Sequence, residues 1–334
     1  MAEIRRDIVT DAWVIVQTEP APAQPELAPE SERCPFCSGH EAMTPPEVFS
    51  IRDASSQPNE PGWLVRVVPS HAPVLRVEGE LKHHGVGIHD MVTGIGANEV
   101  VIETPEHVPA LPDLAAGQIT LVLQAYRQRI NDLYQDQRLR YVLVFKNYRQ
   151  GAGASNFTHS HSELIALPAT PRLMKDELTG ARNYFEYKER CLFCDILENE
   201  LNAGSRVLLE TPHFVVCAPY ASRFPYELTV MPRRHNYAYE QASDIELDDL
   251  GRVMKRTLGA LRAARDDPPY NYVLHTSPNL LPVQGYWQTI KDDYHWHLEI
   301  IPRTKRVAGF EWGSGFHINP IAPELAVKTL KGKL

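Results

Sequence analysis

The sequence predicts an α+β protein made of two similar halves. Three observations predict it. A Cys-x-x-Cys pair occurs twice, as "CPFC" (Cys34, Cys37) and "CLFC" (Cys191, Cys194). A β-prone stretch that begins on glutamate, passes a proline and ends on histidine also occurs twice, as "EVVIETPEH" ending at His107 and "ELTVMPRRH" ending at His235. A His-x-His-x-Glu run then closes each set, with His159, His161 and Glu163 in the first and His295, His297 and Glu299 in the second. Residues 1–178 and 179–334 are the two halves this repeat implies.

The elements follow in the same order in each half. After the cysteine pairs come strand-like runs, "LVRVVPSHAPVLRV" and "FVVCAPYASRFPYELTV". Residues 113–135 and 244–266 place apolar side chains at three- and four-residue steps, as an amphipathic helix requires. The strands "RYVLVFKNY" and "YNYVLHTS" come next, followed by a loop and the His-x-His run. Alternate residues of a strand point to one face, so His159, His161 and Glu163 are expected to share a side.

Composition narrows the function. Hydrophobic residues make up 43% and charged residues 23% of 334, which suits a substantial core. A formal charge of −8 argues against a nucleic-acid partner, because backbone phosphates call for a basic surface. No apolar run reaches the roughly 18 residues of a membrane helix. The start of the chain, "MAEIRRDIVTDAWVIV", lacks the long apolar block of a secretion signal, so a cytoplasmic location is expected.

Four of the five cysteines fall in the two pairs, and Cys217 is left over. In such a compartment, paired Cys-x-x-Cys motifs read as metal sites before disulfides, with a redox pair as the rival. Zinc takes four sulfur and imidazole ligands in structural sites. Cys34, Cys37, His107 and His159 make one Cys2His2 set, and Cys191, Cys194, His235 and His295 make the second. His40 and His71 are substitutes in the first.

If the first histidine of each run binds metal, the second is available for other work. His161 follows "GAGAS" (Gly151 to Ser155), whose small residues let backbone amides approach a phosphate closely. An imidazole held against phosphorus is a competent nucleophile. His297 has the same spacing but lacks the small-residue run, and Trp296 replaces Ser160. His161 is therefore preferred, with His297 a remnant of the duplication or a ligand for a differently arranged metal.

These motifs, together with "GFEWGSGF" near the C-terminus, resemble the galactose-1-phosphate uridylyltransferase family, a branch of the histidine triad superfamily. The resemblance runs through nearly the whole chain. It implies two tandem histidine-triad-like halves, each an antiparallel sheet with helices. It implies attack by His161 on the α-phosphorus of a nucleotide-sugar or other nucleotide diphosphate donor, then transfer to a phosphate-bearing acceptor. It further implies a homodimer and zinc in the metal sites, with iron possible in the second. By the same resemblance, Gly153, Ala154, Ser155 and Ser70 fall where the nucleotide and phosphates bind. Lys305, Phe310 and Glu311 match a segment that reaches the donor's sugar.

Three departures bear on the substrate. Relatives carry glutamine two residues after the nucleophile, where this chain has Glu163. Ionised glutamate accepts hydrogen bonds but donates none, so Glu163 must be protonated, turned away, paired with a cation or bonded to a hydroxyl. The arginines that follow the first strands in relatives are replaced by "VQTEPAPAQP". Pro69 and Ser70 stand where relatives place asparagine or aspartate. The leading reading is a uridylyltransferase acting on UDP-glucose and a hexose 1-phosphate, with Glu163 in the catalytic set. The alternative is an adenylyl-transferring phosphorylase acting on an ADP-sugar, dinucleoside polyphosphate or adenylyl sulfate. A non-catalytic zinc and nucleotide binder is the remaining class.

Overall fold

A computed structural model describes residues 2–18, 34–154, 158–280 and 287–334. In chain order the first half supplies β1 (Ala2–Arg6), β2 (Trp13–Gln17), β3 (Phe49–Arg52), β4 (Trp63–Pro69), β5 (His83–Val86), β6 (His89–Thr93), β7 (Ala97–Ile102), α1 (Ala116–Leu133), β8 (Tyr141–Tyr148) and β9 (His161–Leu167). Then follow α2 (Arg172–Lys188), α3 (Leu192–Ala203), β10 (Val207–Glu210), β11 (Phe214–Cys217), β12 (Leu228–Pro232), α4 (Asp244–Arg265), β13 (Tyr270–His275), α5 (Ile290–Asp293), β14 (His297–Pro302), α6 (Gly309–Ser314) and α7 (Pro323–Lys331). The 178/179 division falls inside α2.

The architecture is α+β, and the repeat is visible in the strand order. One ten-stranded sheet runs β10-β11-β12-β14-β13-β8-β9-β7-β4-β3, antiparallel throughout. Read outward from the central β8–β13 pair, the order β8-β9-β7-β4-β3 mirrors β13-β14-β12-β11-β10. The halves therefore do not keep separate main sheets; they join edge to edge, with Tyr148 opposite Tyr270 and Val144 opposite Leu274. This pairing satisfies the N–H and C=O rows that two isolated five-stranded sheets would leave exposed. A second, four-stranded sheet, β2-β1-β6-β5, comes from the N-terminal segment and the β4–β7 insertion.

α1 and α4 cover one face of the main sheet. Their crossing is close because Gly251 has no side chain: a Cβ there would lie 2.5 Å from Thr120 Oγ1 and 2.9 Å from the Ala116 carbonyl oxygen. The α4 start is fixed by a capping box between Ser243 and Glu246. Strand alternation sends Val142, Val144, Leu164, Ala166, Leu274, Leu298 and Ile300 into this layer.

The other face is covered unevenly. Over the second half, α2 packs Met174, Leu178 and Ala181 against Tyr141, Ile290 and Tyr294, and α3 packs Leu197 against Val215, Cys217 and Met231. Over the first half, the small sheet packs on Ile165 and Leu167 at the far end of β9. The start of β9, at His161, lies beyond that cover and lines a cleft.

Candidate active site and metal centres

Each Cys-x-x-Cys pair meets the two histidines that the repeat assigned to it. In both sets, Cys34, Cys37, His107 and His159, and Cys191, Cys194, His235 and His295, the four ligand atoms lie within 4.8 Å of one another. In the first set Cys34 Sγ and Cys37 Sγ stand 3.5 and 3.6 Å from His159 Nδ1, and Cys37 Sγ stands 3.4 Å from His107 Nδ1. In the second, Cys194 Sγ stands 3.5 Å from His235 Nδ1 and 3.7 Å from His295 Nδ1. A tetrahedral ion with metal–sulfur bonds of about 2.3 Å and metal–nitrogen bonds of about 2.05 Å requires sulfur–nitrogen edges of about 3.5 Å. Both donor sets fit such an ion.

The outer hydrogen bonds point the same way. His159 Nε2 meets the Thr104 carbonyl at 2.8 Å and His235 Nε2 meets the Lys291 carbonyl at 2.8 Å. A carbonyl only accepts, so each ring carries its proton on Nε2 and turns the Nδ1 lone pair inward, as a ligating histidine does. Burial and the neighbouring Cys34 push the Cys37 thiol up to about 11, so an incoming cation must displace a proton there. His40 Nδ1 bonds the Cys34 carbonyl instead, and His71 is exposed; neither joins the set.

β9 begins at His161, so His159 stands just ahead of the strand. Both rings touch Phe36 of the first Cys-x-x-Cys loop, with centroids 6.0 and 5.3 Å away. His161 Nδ1 lies 2.7 Å from the His159 carbonyl oxygen. That contact places the proton on Nδ1 and the lone pair on Nε2. Burial and the positive charge of Lys146 lower the imidazole's pKa, which keeps the ring neutral. The cleft that His161 lines has a volume of about 930 Å³ and includes Asn147, Tyr148, Arg149, Ala154, Thr158 and Arg262.

The second half shows the contrast. His297 Nδ1 has the matching contact to the His295 carbonyl, at 3.1 Å. Its face is closed by α2: Glu177 bonds His275 Nδ1 at 2.8 Å and Tyr294 Oη at 2.9 Å, and stands 3.6 Å from His297 Nε2. Glu177, His275 and His297 also bring three ligand-type atoms within 4.8 Å of one another. This grouping escaped sequence reasoning because Glu177 belongs to neither repeated motif.

Glu163 and its counterpart Glu299 differ just as sharply. Glu299 pairs with Arg223 at 2.6 Å and stands 3.7 Å from His275 Nε2. The Glu163 carboxyl has no hydrogen-bonding or ionic partner among the described residues; Phe145 and Val100 stand opposite it on the adjacent strands. Burial alone raises its pKa.

The remaining site residues are dispersed. Ser155 lies outside the described residues. Gly153 takes φ +85° after a 3-10 turn, and its N–H donates to the Gln150 carbonyl while that of Ala154 donates to the Arg149 carbonyl. These amides close their own loop instead of presenting a row of donors to the cleft, because the turn consumes them. Ser70 extends the β4–β7 pairing through its N–H to the Asn98 carbonyl, and it is not a cleft-lining residue. Lys305 and Glu311 pair at 2.5 Å, Glu311 also accepts from the Ala308 N–H, and Phe310 is 55% exposed. None of the last three lines the His161 cleft of the single chain.

Two groups were missed at the cleft. Arg149, Asp267, Arg262 and Asp113 form a chain of ion pairs along its rim. Lys146, which lines the cleft, and Glu103 form a buried pair beside β9. A lysine in the alternating run "YVLVFKNY", at a core-facing position, was the available signal for the second.

Residues 113–333 match the family described as "Domain of unknown function (DUF4921)". Over 98% of its length the chain is 35% identical to an ADP-glucose phosphorylase of Arabidopsis thaliana, covering 92% of that protein. The chain belongs to this galactose-1-phosphate uridylyltransferase-like family. It is 28% identical to a galactose-1-phosphate uridylyltransferase of Thermotoga maritima, covering 99% of this chain and 98% of the other. A crystal structure of an Arabidopsis thaliana ADP-glucose phosphorylase with bound ADP-glucose superposes with a TM-score of 0.77, at 33% identity and 99% coverage of each chain. Membership makes this chain a nucleotidyltransferase. Among the described residues, no helix is long and apolar enough to cross a membrane.

Proposed function

We propose that this protein moves AMP from an ADP-sugar to inorganic phosphate through a bond to His161. The observation that carries the reading is the His161 ring, neutral, with its lone pair on Nε2 and its place in the cleft wall. Nε2 attacks the α-phosphorus, and the phosphorus–oxygen bond to the sugar phosphate breaks, releasing the sugar 1-phosphate. The Nδ1 proton stays against the His159 carbonyl, which spreads the positive charge the ring acquires. Phosphate then attacks the same phosphorus from solution, the phosphorus–nitrogen bond breaks, and the product ADP leaves a neutral His161. Two displacements divide one difficult transfer.

The adenylyl branch is favoured over the uridylyl one by the greater identity to ADP-glucose phosphorylase, 35% against 28%. Glu163 in place of glutamine and the missing arginines also suit a donor site unlike that of a uridylyltransferase. The uridylyl reading remains the second, supported by near-complete alignment with such an enzyme. We assign zinc to both Cys2His2 sets; their matching donors give no reason to place iron in the second. When bound, zinc ties the Cys-x-x-Cys loop to the segment just ahead of β9 and supplies no step of the transfer. Phe310, Trp312 and Phe316 are 55, 79 and 71% exposed, an apolar run suited to a second copy in a homodimer.

The test is a pair of assays on one preparation: phosphorolysis of ADP-glucose, and UMP transfer from UDP-glucose to galactose 1-phosphate. ADP release at a kcat/KM at least tenfold above the second reaction is expected. The reverse order would return the protein to the uridylyl reading.

A further inference from the structure

Ser160 and Ser162 alternate with His159 and His161 at the start of β9, and Ser160 and Lys146 stand in the wall of the same cleft as His161. Ser160 Oγ donates to Glu103 Oε2 at 2.5 Å. Lys146 Nζ donates to the same carboxylate oxygen at 2.6 Å, to Ser160 Oγ at 3.1 Å and to the His161 carbonyl oxygen at 2.7 Å. Tyr126 Oη donates to Ser162 Oγ at 2.5 Å and lies 2.5 Å from Tyr272 Oη. Glu103, Lys146, Ser160, Ser162, Tyr126 and Tyr272 are all buried.

The second half is an internal control for this cluster. Phe145 stands opposite Glu163 and Val273 stands opposite Glu299, so Leu274 corresponds to Lys146, Leu298 to Ser162 and Trp296 to Ser160. Val100 opposite Glu163 and Thr229 opposite Glu299 likewise make Pro232 the counterpart of Glu103. All four counterparts are buried; Leu274, Leu298 and Pro232 are apolar, and Trp296 carries only an indole N–H. The fold thus fills these positions with uncharged, largely apolar side chains where nothing else is asked of them. A buried ion pair must overcome the desolvation of two charges, and apolar replacement is often neutral or stabilising. Stability alone gives no reason for Lys146 and Glu103. Their half is the one whose second histidine lines the open cleft.

We propose that Lys146 and Glu103 are positioning residues for the nucleophile, gripping the His161–Ser162 peptide and the Ser160 side chain just ahead of it so that the imidazole meets the phosphorus at a fixed distance. This inference rests on the His161 nucleophile assigned above. Lys146 grips the His161 carbonyl, Glu103 grips the side chain one residue earlier, and each holds the other. The Tyr126–Ser162 bond holds the next residue. Misplacing a reacting group by about 1 Å costs on the order of a hundredfold in rate, so a clamp on this peptide acts on the chemical step and not on donor affinity.

The test follows formation of the AMP adduct in a single turnover of the full chain with ADP-glucose. Three variants are compared: Lys146→Met/Glu103→Leu, which copies the apolar filling of the second half; Lys146→Gln/Glu103→Gln, which keeps a donor and an acceptor without charge; and Ser160→Ala, which releases one grip and leaves the ion pair. In the apolar variant the adduct rate is expected to fall about tenfold or more, with donor concentration dependence and zinc content unchanged. Ser160→Ala is expected to slow about threefold and the Gln/Gln variant to recover most of the rate. Wild-type adduct rates in the apolar variant, or in Ser160→Ala if the apolar one does not fold, overturn the clamp while leaving the nucleophile standing. No adduct in the wild-type protein with ADP-glucose or UDP-glucose overturns the nucleophile and the clamp with it.

Discussion

His161 and Glu163 sit two residues apart and present different chemistry. His161→Ala removes Nε2 and leaves His159 and the rest of its Cys2His2 donor set in place, so transfer is expected to fall by at least 10³-fold, the scale on which covalent and general catalysis operate. Metal content, read by elemental analysis, is expected to stay at wild-type level; a variant that keeps its turnover would remove the nucleophile from the scheme. Glu163 has a raised pKa from burial and no cation beside it. A carboxyl in its neutral form donates one hydrogen bond, as glutamine does. Glu163→Gln is therefore expected to keep activity at acidic pH and to extend it to higher pH, where the native carboxyl ionises and repels the donor. A parallel fall at all pH values would assign the carboxylate another task. The histidines were legible in the sequence because His-x-His recurs with the same neighbours in both halves. Lys146 and Glu103 were harder to read: a lone charge in a strand reads as solvent-facing, and only the alternation of Lys146 with Val142 and Val144 hinted that it turns inward.

Elements distinguish the two halves. α2 closes the second-half site by setting Glu177 against His275, His297 and Tyr294. Burial would raise the Glu177 carboxyl, but the two imidazoles and the Tyr294 hydroxyl outweigh it and hold it at about 2. Because the folded value lies below the ordinary carboxylate range, its contribution to stability is complete above about pH 4.5 and is lost as the pH falls toward 2. The stability gap between wild type and Glu177→Gln, measured by urea unfolding, is expected to narrow across that window; a constant gap would mean the carboxylate is not what holds α2. The α1–α4 crossing makes a separate prediction. Gly251→Val puts two methyl groups where one Cβ already meets Thr120 and the Ala116 carbonyl, so destabilisation of about 2 kcal/mol is expected by denaturant melting. Both helices were legible from their periodicity, the second almost to its last residue. The role of α2 was not, because no repeat unit contains it and its partners lie some 100 residues away in the chain.

At the scale of the whole molecule, the duplication supplied most of what the sequence disclosed. Repeated order gave both donor sets, all eight ligands of which the structure brings together. Repetition could not disclose that the halves share one sheet, since edge-to-edge pairing at β8 and β13 depends on backbone hydrogen bonds that carry no sequence signature. The same limit holds for Lys305, Phe310 and Glu311, whose segment lies outside the single-chain cleft. Because each metal set ties a loop from one end of its half to a strand at the other, Cys34→Ser is expected to lower zinc by about one equivalent and to reduce stability by several kcal/mol, since metal binding free energy is folding free energy. An unchanged zinc content would remove the first set from the account.

The central claim is that His161 carries the nucleotide, and intact mass tests it most directly. The purified protein is incubated with ADP-glucose and no phosphate, then read at neutral or alkaline pH, because a phosphorus–nitrogen bond to histidine is acid-labile. The account predicts one AMP per chain, discharged by added phosphate and absent from His161→Ala. An AMP adduct that persists in His161→Ala would contradict it, as would phosphorolysis of ADP-glucose that proceeds in that variant with no adduct at all.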